Sequence, residues 1–315
     1  MADPVGGERF TAPLLHRLAA HTPLDVLTRV YSTIIVPSIR RRMRAEGVAP
    51  PAFRPLTDHA DVLSPELVDA LRRVGGIERV DTSLQRLERL ALATSMALIT
   101  KGPDRWKGRV TVEGLDAMVE ASEDQPVFVI EPHIGPWWLV TGHLLHRGFR
   151  ISVFSVAPPM EIKSFRRLAS LLAAPGLPPD SFREIRVPDP GSAVTAIRDG
   201  KAGRVLMWNP GAVAFMGGAS RKQPFLGGTV QVSPAIVRVL RRLGAAIFLA
   251  HARLEAQGPQ RAHLVYRRLE VRLDDDDAAL TDLYRAVEDT ILENIDQWMM
   301  WRFFPEALQW TPPQR

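Results

Sequence analysis

Cysteine is absent from all 315 residues, which rules out disulfides and thiolate metal sites and leaves the redox compartment open. Long apolar runs are missing as well. No stretch approaches the roughly 18 to 20 apolar residues that cross a bilayer, and the nearest candidate, Leu24 to Ile39, is broken by Asp25, Arg29 and Pro37. The first residues lack a basic segment leading into an apolar stretch and a small-residue cleavage site, so no secretory signal is expected. The acidic run Asp274 to Asp277 has neither the glycine nor the later glutamate of an EF-hand and reads as a solvated loop. His143 and His146 have no carboxylate completing an HExxH-like pattern, and His251 reads as structural.

What is present is ordinary for a folded globular chain: 46% apolar and 24% charged residues. The formal charge is +5 and the isoelectric point about 9.9. Arginine supplies most of it. Such a surface attracts an acidic partner, whether a carrier protein, a phosphate-bearing cofactor or anionic lipid; with no recognisable nucleic-acid module, nucleic acid ranks last. Leu24, Leu27, Val30, Tyr31, Ile34 and Ile35 recur at helical spacing before the basic cluster Arg40 to Arg44. This segment could lie on an anionic membrane surface, although packing on the core is the simpler reading.

Residues 1–104 form a helical N-terminal region packed on the core, with candidate helices Leu24 to Glu46, Pro65 to Val74 and Thr82 to Thr100. In residues 105–315 short apolar runs alternate with helical ones. Strands are expected at Val110 to Val112, Val127 to Glu131, Ile151 to Val156, Ile185 to Val187, Val205 to Trp208, Ala246 to Ala250 and Leu264 to Leu273, the last as an antiparallel edge. Helices are expected at Trp137 to Arg147, Glu161 to Ala173, Gly191 to Arg198, Pro234 to Leu243 and Leu280 to Trp298. The fold class is therefore α/β, with a mostly parallel central sheet flanked by helices.

The stretch from Val127 to Trp138 carries the chemistry. Val127 to Ile130 is a β-branched apolar run suited to a strand buried on both faces. Gly135 and Pro136 break it, and Pro136 suits the first turn of the next helix. His133 thus falls at the carboxyl end of a strand and just before a helix N-terminus, the edge where open α/β sheets bind ligands and where anionic oxygens are favoured. A histidine that merely fills the loop is the competing reading.

Four segments, in order, resemble the lysophospholipid acyltransferase superfamily and, within it, the bacterial lipid A acyltransferase branch that includes phosphatidylinositol mannoside acyltransferases. His133-Ile-Gly-Pro-Trp137 looks like the family's motif of a histidine, four residues and an acid. Arg204 to Gly211, containing Asn209, occupies the place of a strand that usually ends in aspartate. Pro224-Phe225-Leu226-Gly227-Gly228 with the helix and strand that follow, and Glu288 to Phe303 with its Gln297-Trp298 pair, complete the likeness over residues 105–305. The resemblance implies transfer of an acyl group from a thioester, on an acyl or peptidyl carrier protein's phosphopantetheine or on coenzyme A, with no bound cofactor and with His133 as general base.

The departures are two. Trp138 stands where the family has its acid and can neither accept a hydrogen bond nor balance an imidazolium, and Asn209 replaces an aspartate. Glu131, two residues before His133 and held extended by Pro132, is the expected substitute, sharing a face with the histidine. A second explanation is an amine acceptor, which asks less of the base than a hydroxyl. Candidate substrate-binding residues are Trp137, Trp138, Trp208 and Phe225 lining a pocket; Arg166, with Lys163 and Arg167, and Arg221-Lys222 for phosphate or an acidic carrier; Asn209; and Gly227 and Gly228, whose N–H groups could face an oxyanion. The leading expectation is acyl transfer to an amine or hydroxyl in specialised, natural-product metabolism, in the cytoplasm or peripherally at the inner membrane face. A glycolipid acyltransferase and a catalytically reduced homologue that binds a carrier or acyl chain are the alternatives.

Overall fold

Short β-branched runs and amphipathic segments assemble, in a computed structural model, into a seven-stranded sheet covered on both faces. The structure describes residues 22–35, 37, 41, 55–59, 63–102, 106, 108–156, 178, 180–187, 189–210, 221–255, 261–303, 310 and 311. Strands β1 (Val110–Glu113), β2 (Val127–Ile130), β3 (Ile151–Val156), β4 (Phe182–Val187), β5 (Val205–Trp208), β8 (Ala246–Leu254) and β9 (Ala262–Leu269) lie in the order β1-β9-β8-β2-β5-β3-β4. A separate hairpin joins β6 (Arg221–Phe225) to β7 (Gly228–Val232). The run from β8 through β2, β5 and β3 to β4 is parallel throughout. β9 is antiparallel to β8 and parallel to β1. The expected antiparallel edge is thus one strand further in: β9 is antiparallel, and β1 closes the sheet outside it.

Strand period decides which core each side chain joins. Phe128, Ile130, Leu206, Trp208, Ile247 and Leu249 enter one apolar cluster; Val127, Val129, Val205, Met207, Phe248 and Ala250 enter the other. The early helices serve both, with Leu67 and Leu71 in the first cluster and Leu27 and Met96 in the second. Among the described residues no helix is long and apolar enough to cross a membrane.

Local chemistry sets the helix ends. Ser64 caps Pro65–Arg73 by accepting from Leu67 N, with Pro65 in the first turn. The acidic run expected as a loop is instead a helix start: Asp275 accepts from the N–H groups of Asp277 and Ala278, so the helix Asp276–Glu293 begins four residues before Leu280. Its acidic first turn suits the positive end of the helix dipole, and Asp276 meets Arg241 at 2.7 Å. The helix Ile77–Lys101 starts earlier than its periodicity indicated. The first helix, Leu24–Val30, continues as a π-helical turn, Tyr31–Ile35, anchored by a 2.9 Å hydrogen bond between Tyr31 and Thr100. The expected helix Glu161 to Ala173 lies outside the described residues, as does most of the first helix beyond residue 35.

Gly142 lets the helix Trp138–His146 approach Ile77–Lys101: a Cβ there would meet Ile99 Cγ1 at 2.3 Å. Gly142→Val is therefore expected to lower unfolding stability by about 1–3 kcal/mol, read as a lower urea midpoint with an unchanged slope.

Candidate active site

The site is built where β2 and β5 end together, beside β8, which runs on to Leu254. Glu131 follows β2 and is buried, its N–H donating to Trp208 O at 2.8 Å. Its Oε1 accepts the backbone N–H of His133 at 2.8 Å, and Ile134 N–H also donates to the carboxylate. Oε2 accepts from Asn209 Nδ2 at 2.7 Å, and the same amide group donates to the Glu131 carbonyl at 3.0 Å. His133 has φ 57°, left-handed and unusual outside glycine. Successive N–H groups in such a turn form a concave anion receptor. Here the protein fills it with its own carboxylate.

This corrects the expected Glu131–imidazole pair. Residues i and i+2 share a face only while the chain stays extended, and the left-handed step at His133 ends that regime. The carboxylate grips the His133 peptide, while Nδ1 of the ring is buried with no hydrogen-bond partner. Trp137 replaces the missing acid as the ring's neighbour: the two centroids are 4.7 Å apart at 64°, edge to face. Trp138, at the expected acid position, is buried and stacks on Trp137 at 4.2 Å. Burial pushes the His133 imidazole down to about 4. Burial likewise pushes Glu131 up to about 8, against the opposing pull of the His133 and Ile134 N–H groups and the Asn209 amide. The imidazole is thus neutral at pH 7. Asn209 spends its amide N–H groups on Glu131.

A clamp from the C-terminal segment closes the loop. Gly135 N donates to Gln297 O at 2.8 Å, Met299 N to His133 O at 2.9 Å, and Ile134 bridges Trp298. The Gln297 side chain takes both polar groups of Leu254, accepting from N at 2.8 Å and donating to O at 2.9 Å. Ser95 Oγ donates to Pro136 O at 3.1 Å. Gly135, with φ 57°, has no room for a side chain, since a Cβ would lie 2.4 Å from Ala252 O. The roles of Gln297 and Ser95 were missed in the sequence. The Gln297-Trp298 pair was visible as a signature, but nothing local to it indicates a strand-end partner.

The other expected residues gather elsewhere. The hairpin turns through Leu226 and Gly227, φ 52° and 72°, as a two-residue turn with two left-handed positions. Leu226 N donates to Glu288 Oε1 at 3.0 Å. A Cβ on Gly227 would meet Ser64 Oγ at 2.0 Å, and one on Gly228 would meet Thr311 O at 2.4 Å. Both glycines are explained by the turn and by close packing. Phe225 is buried edge-on to Tyr284 at 5.6 Å, and Tyr284 meets Trp208 at 6.1 Å, so these rings form core beneath the strand ends. Arg221 pairs with Asp277, and Lys222 is exposed. Arg166, Lys163 and Arg167 lie outside the described residues. His143 bonds the Tyr266 hydroxyl at 2.8 Å and His146 the Ile99 carbonyl at 2.8 Å, and no described group of three acidic, histidine or cysteine side chains could hold a metal. The chain matches no protein-family model and no curated protein.

Two measurements probe this arrangement. Glu131→Gln and Asn209→Asp are each expected to lower stability by about 1–3 kcal/mol, and the double exchange to recover part of the loss in a double-mutant cycle. Stability should also peak near neutral pH. His133, His143 and His251 are each lowered from 6.5 to about 4, so their contribution is present above pH 6.5 and lost as pH falls towards 4. Glu131 is raised from 4.5 to about 8, so its contribution is present below pH 4.5 and lost as pH rises to about 8. Urea midpoints across this range should show both limbs, with Glu131→Gln flattening the alkaline one.

Proposed function

We propose that this chain is an acyltransferase-like enzyme that moves an acyl group from a thioester, on a carrier protein's phosphopantetheine or on coenzyme A, to an amine acceptor, with His133 as the base. The observation that carries this reading is a neutral histidine with no carboxylate on its ring, fixed by its own backbone at the carboxyl edge of a parallel sheet. Such an imidazole is a weak base. It suits an amine, whose nitrogen attacks the thioester carbonyl unaided and whose proton becomes acidic once the new C–N bond has formed. His133 then takes that proton, the C–S bond breaks, and the proton passes to the departing thiolate. A hydroxyl must lose its proton during attack and asks for a stronger, acid-supported base. Trp137 and Trp138 support the reading as an apolar wall beside the ring. The setting that fits is tailoring of small or carrier-bound metabolites in the cytoplasm or at the inner membrane face, rather than glycolipid assembly.

The sealed Nδ1 favours one other reading, a catalytically reduced homologue that binds a carrier or acyl chain. One experiment separates the two: incubation with acyl-loaded carrier protein or acyl-coenzyme A and paired amine and alcohol acceptors. Amide product is expected to exceed ester, and His133→Ala to lower the rate by roughly 10²–10⁴-fold. With His133 already neutral, kcat/KM corrected for the fraction of acceptor present as free amine should show no inflection at 6.5 from His133. Equal inertness of wild type and His133→Ala, with carrier still bound by both, would establish the binding protein instead.

A further inference from the structure

The carboxyl end of β8 carries polar groups that acyl transfer by His133 leaves unused. In the antiparallel ladder Arg253 lies opposite His263, His251 opposite Val265, and Leu249 opposite Arg267. Alternation along each strand therefore puts Arg253, His251, His263 and Arg267 on one face of the sheet. β1 adds Thr111 and Glu113 to that face, opposite His263 and Val265. His251 is only 7% exposed, and its Nδ1 is buried without a hydrogen-bond partner. Arg253 is exposed, and Arg267 reaches across to Thr290 Oγ1 at 2.9 Å. His263 Nε2 lies 3.3 Å from Glu113 Oε2, the one carboxylate that pairs with any of the four among the described residues. Burial, then the charges of His263, Arg253 and Arg267, push the His251 imidazole down to about 4. An orphaned buried nitrogen on a face that also carries two arginines is unfavourable, and an anion relieves it. The cluster adjoins the His133 loop, since a Cβ on Gly135 would fall 3.1 Å from Arg253 Cα.

We infer that His251, Arg253, His263 and Arg267 form a binding site for a phosphate-class oxyanion beside the His133 loop. The Arg253 guanidinium, the N–H groups of Arg267 other than the Nη2 that donates to Thr290 and Ala286, and the two imidazoles offer several donors, which match the several oxygens of a phosphate. That phosphate can belong to the acyl donor, to the acceptor or to free phosphate in solution. The site stands on the sheet register and does not depend on acyl transfer.

The test is a titration of the full chain with inorganic phosphate, followed by imidazole ¹H–¹⁵N resonances and repeated in competition with coenzyme A and with glycerol phosphate. Saturable shifts of His251 and His263 are expected, with the His251 pKa rising from about 4 as the anion binds. Arg253→Ala should weaken binding about tenfold or more. His251→Gln, which keeps a polar side chain of similar size, should weaken binding without changing the melting temperature. His133→Ala should bind phosphate like wild type, which separates this site from the acyl-transfer chemistry. Coenzyme A outcompeting phosphate assigns the oxyanion to the donor, glycerol phosphate doing so assigns it to the acceptor, and neither doing so leaves free phosphate as the ligand. Unmoved His251 resonances, or an Arg253→Ala variant that binds as tightly as wild type, would overturn the assignment.

Discussion

The carboxylate of Glu131 sits in the pocket of peptide N–H groups that begins at His133, and the geometry of the loop is fixed by that contact. No cation accompanies it. Burial without a counter-ion pushes its carboxyl up to about 8, so the group is largely protonated at neutral pH, while the His133 and Ile134 peptides and the Asn209 amide converge on its oxygens and oppose that rise. Because Asn209 follows β5 and Glu131 follows β2, the same interaction ties two neighbouring strands together where the loop departs. A strained left-handed residue persists when its surroundings over-determine it. His133 is held from before by Glu131, from behind by Met299, and through the next residues by Trp298 and Gln297.

Much of this was legible from residue pattern, and the limits were physical. Ile151–Val156 and Val205–Trp208 were read to the residue because β-branched and bulky apolar runs bounded by charged or turn residues have few alternatives. The helix Asp276–Glu293 was started too late because apolar periodicity begins at Leu280, whereas the N-cap that nucleates the helix is the polar Asp275. The pattern points to Glu131 beside His133, but the carboxyl meets the His133 peptide rather than the ring. Extended alternation predicts side-chain neighbours and cannot foresee a single residue changing backbone region. The hairpin shows the same limit: Gly227 and Gly228 were read for their freedom, while the reason for their smallness lies in Ser64, Trp310 and Thr311, which are distant in sequence.

His251 gives a different lesson. In the sequence it follows an apolar run, with Arg253 two residues on as its one basic neighbour in the strand. Register with β9 surrounds it with cationic side chains, and only the paired strands reveal a concentration of charge. The pattern along β8 places His251 and Arg253 on one face, and only the pairing with β9 adds His263 and Arg267 to it.

The stacked tryptophans beside His133 bear on how this sequence can change. Trp138 is buried in the second apolar cluster, against Trp137 and the helix that follows. Installing a carboxylate at that position would leave a void and an uncompensated charge in the same step, two costs that no single further substitution removes. A single substitution that installs an acid beside the histidine is therefore expected to be costly. Substitutions around the imidazole are tolerated more readily elsewhere in its aromatic wall than at Trp138 itself.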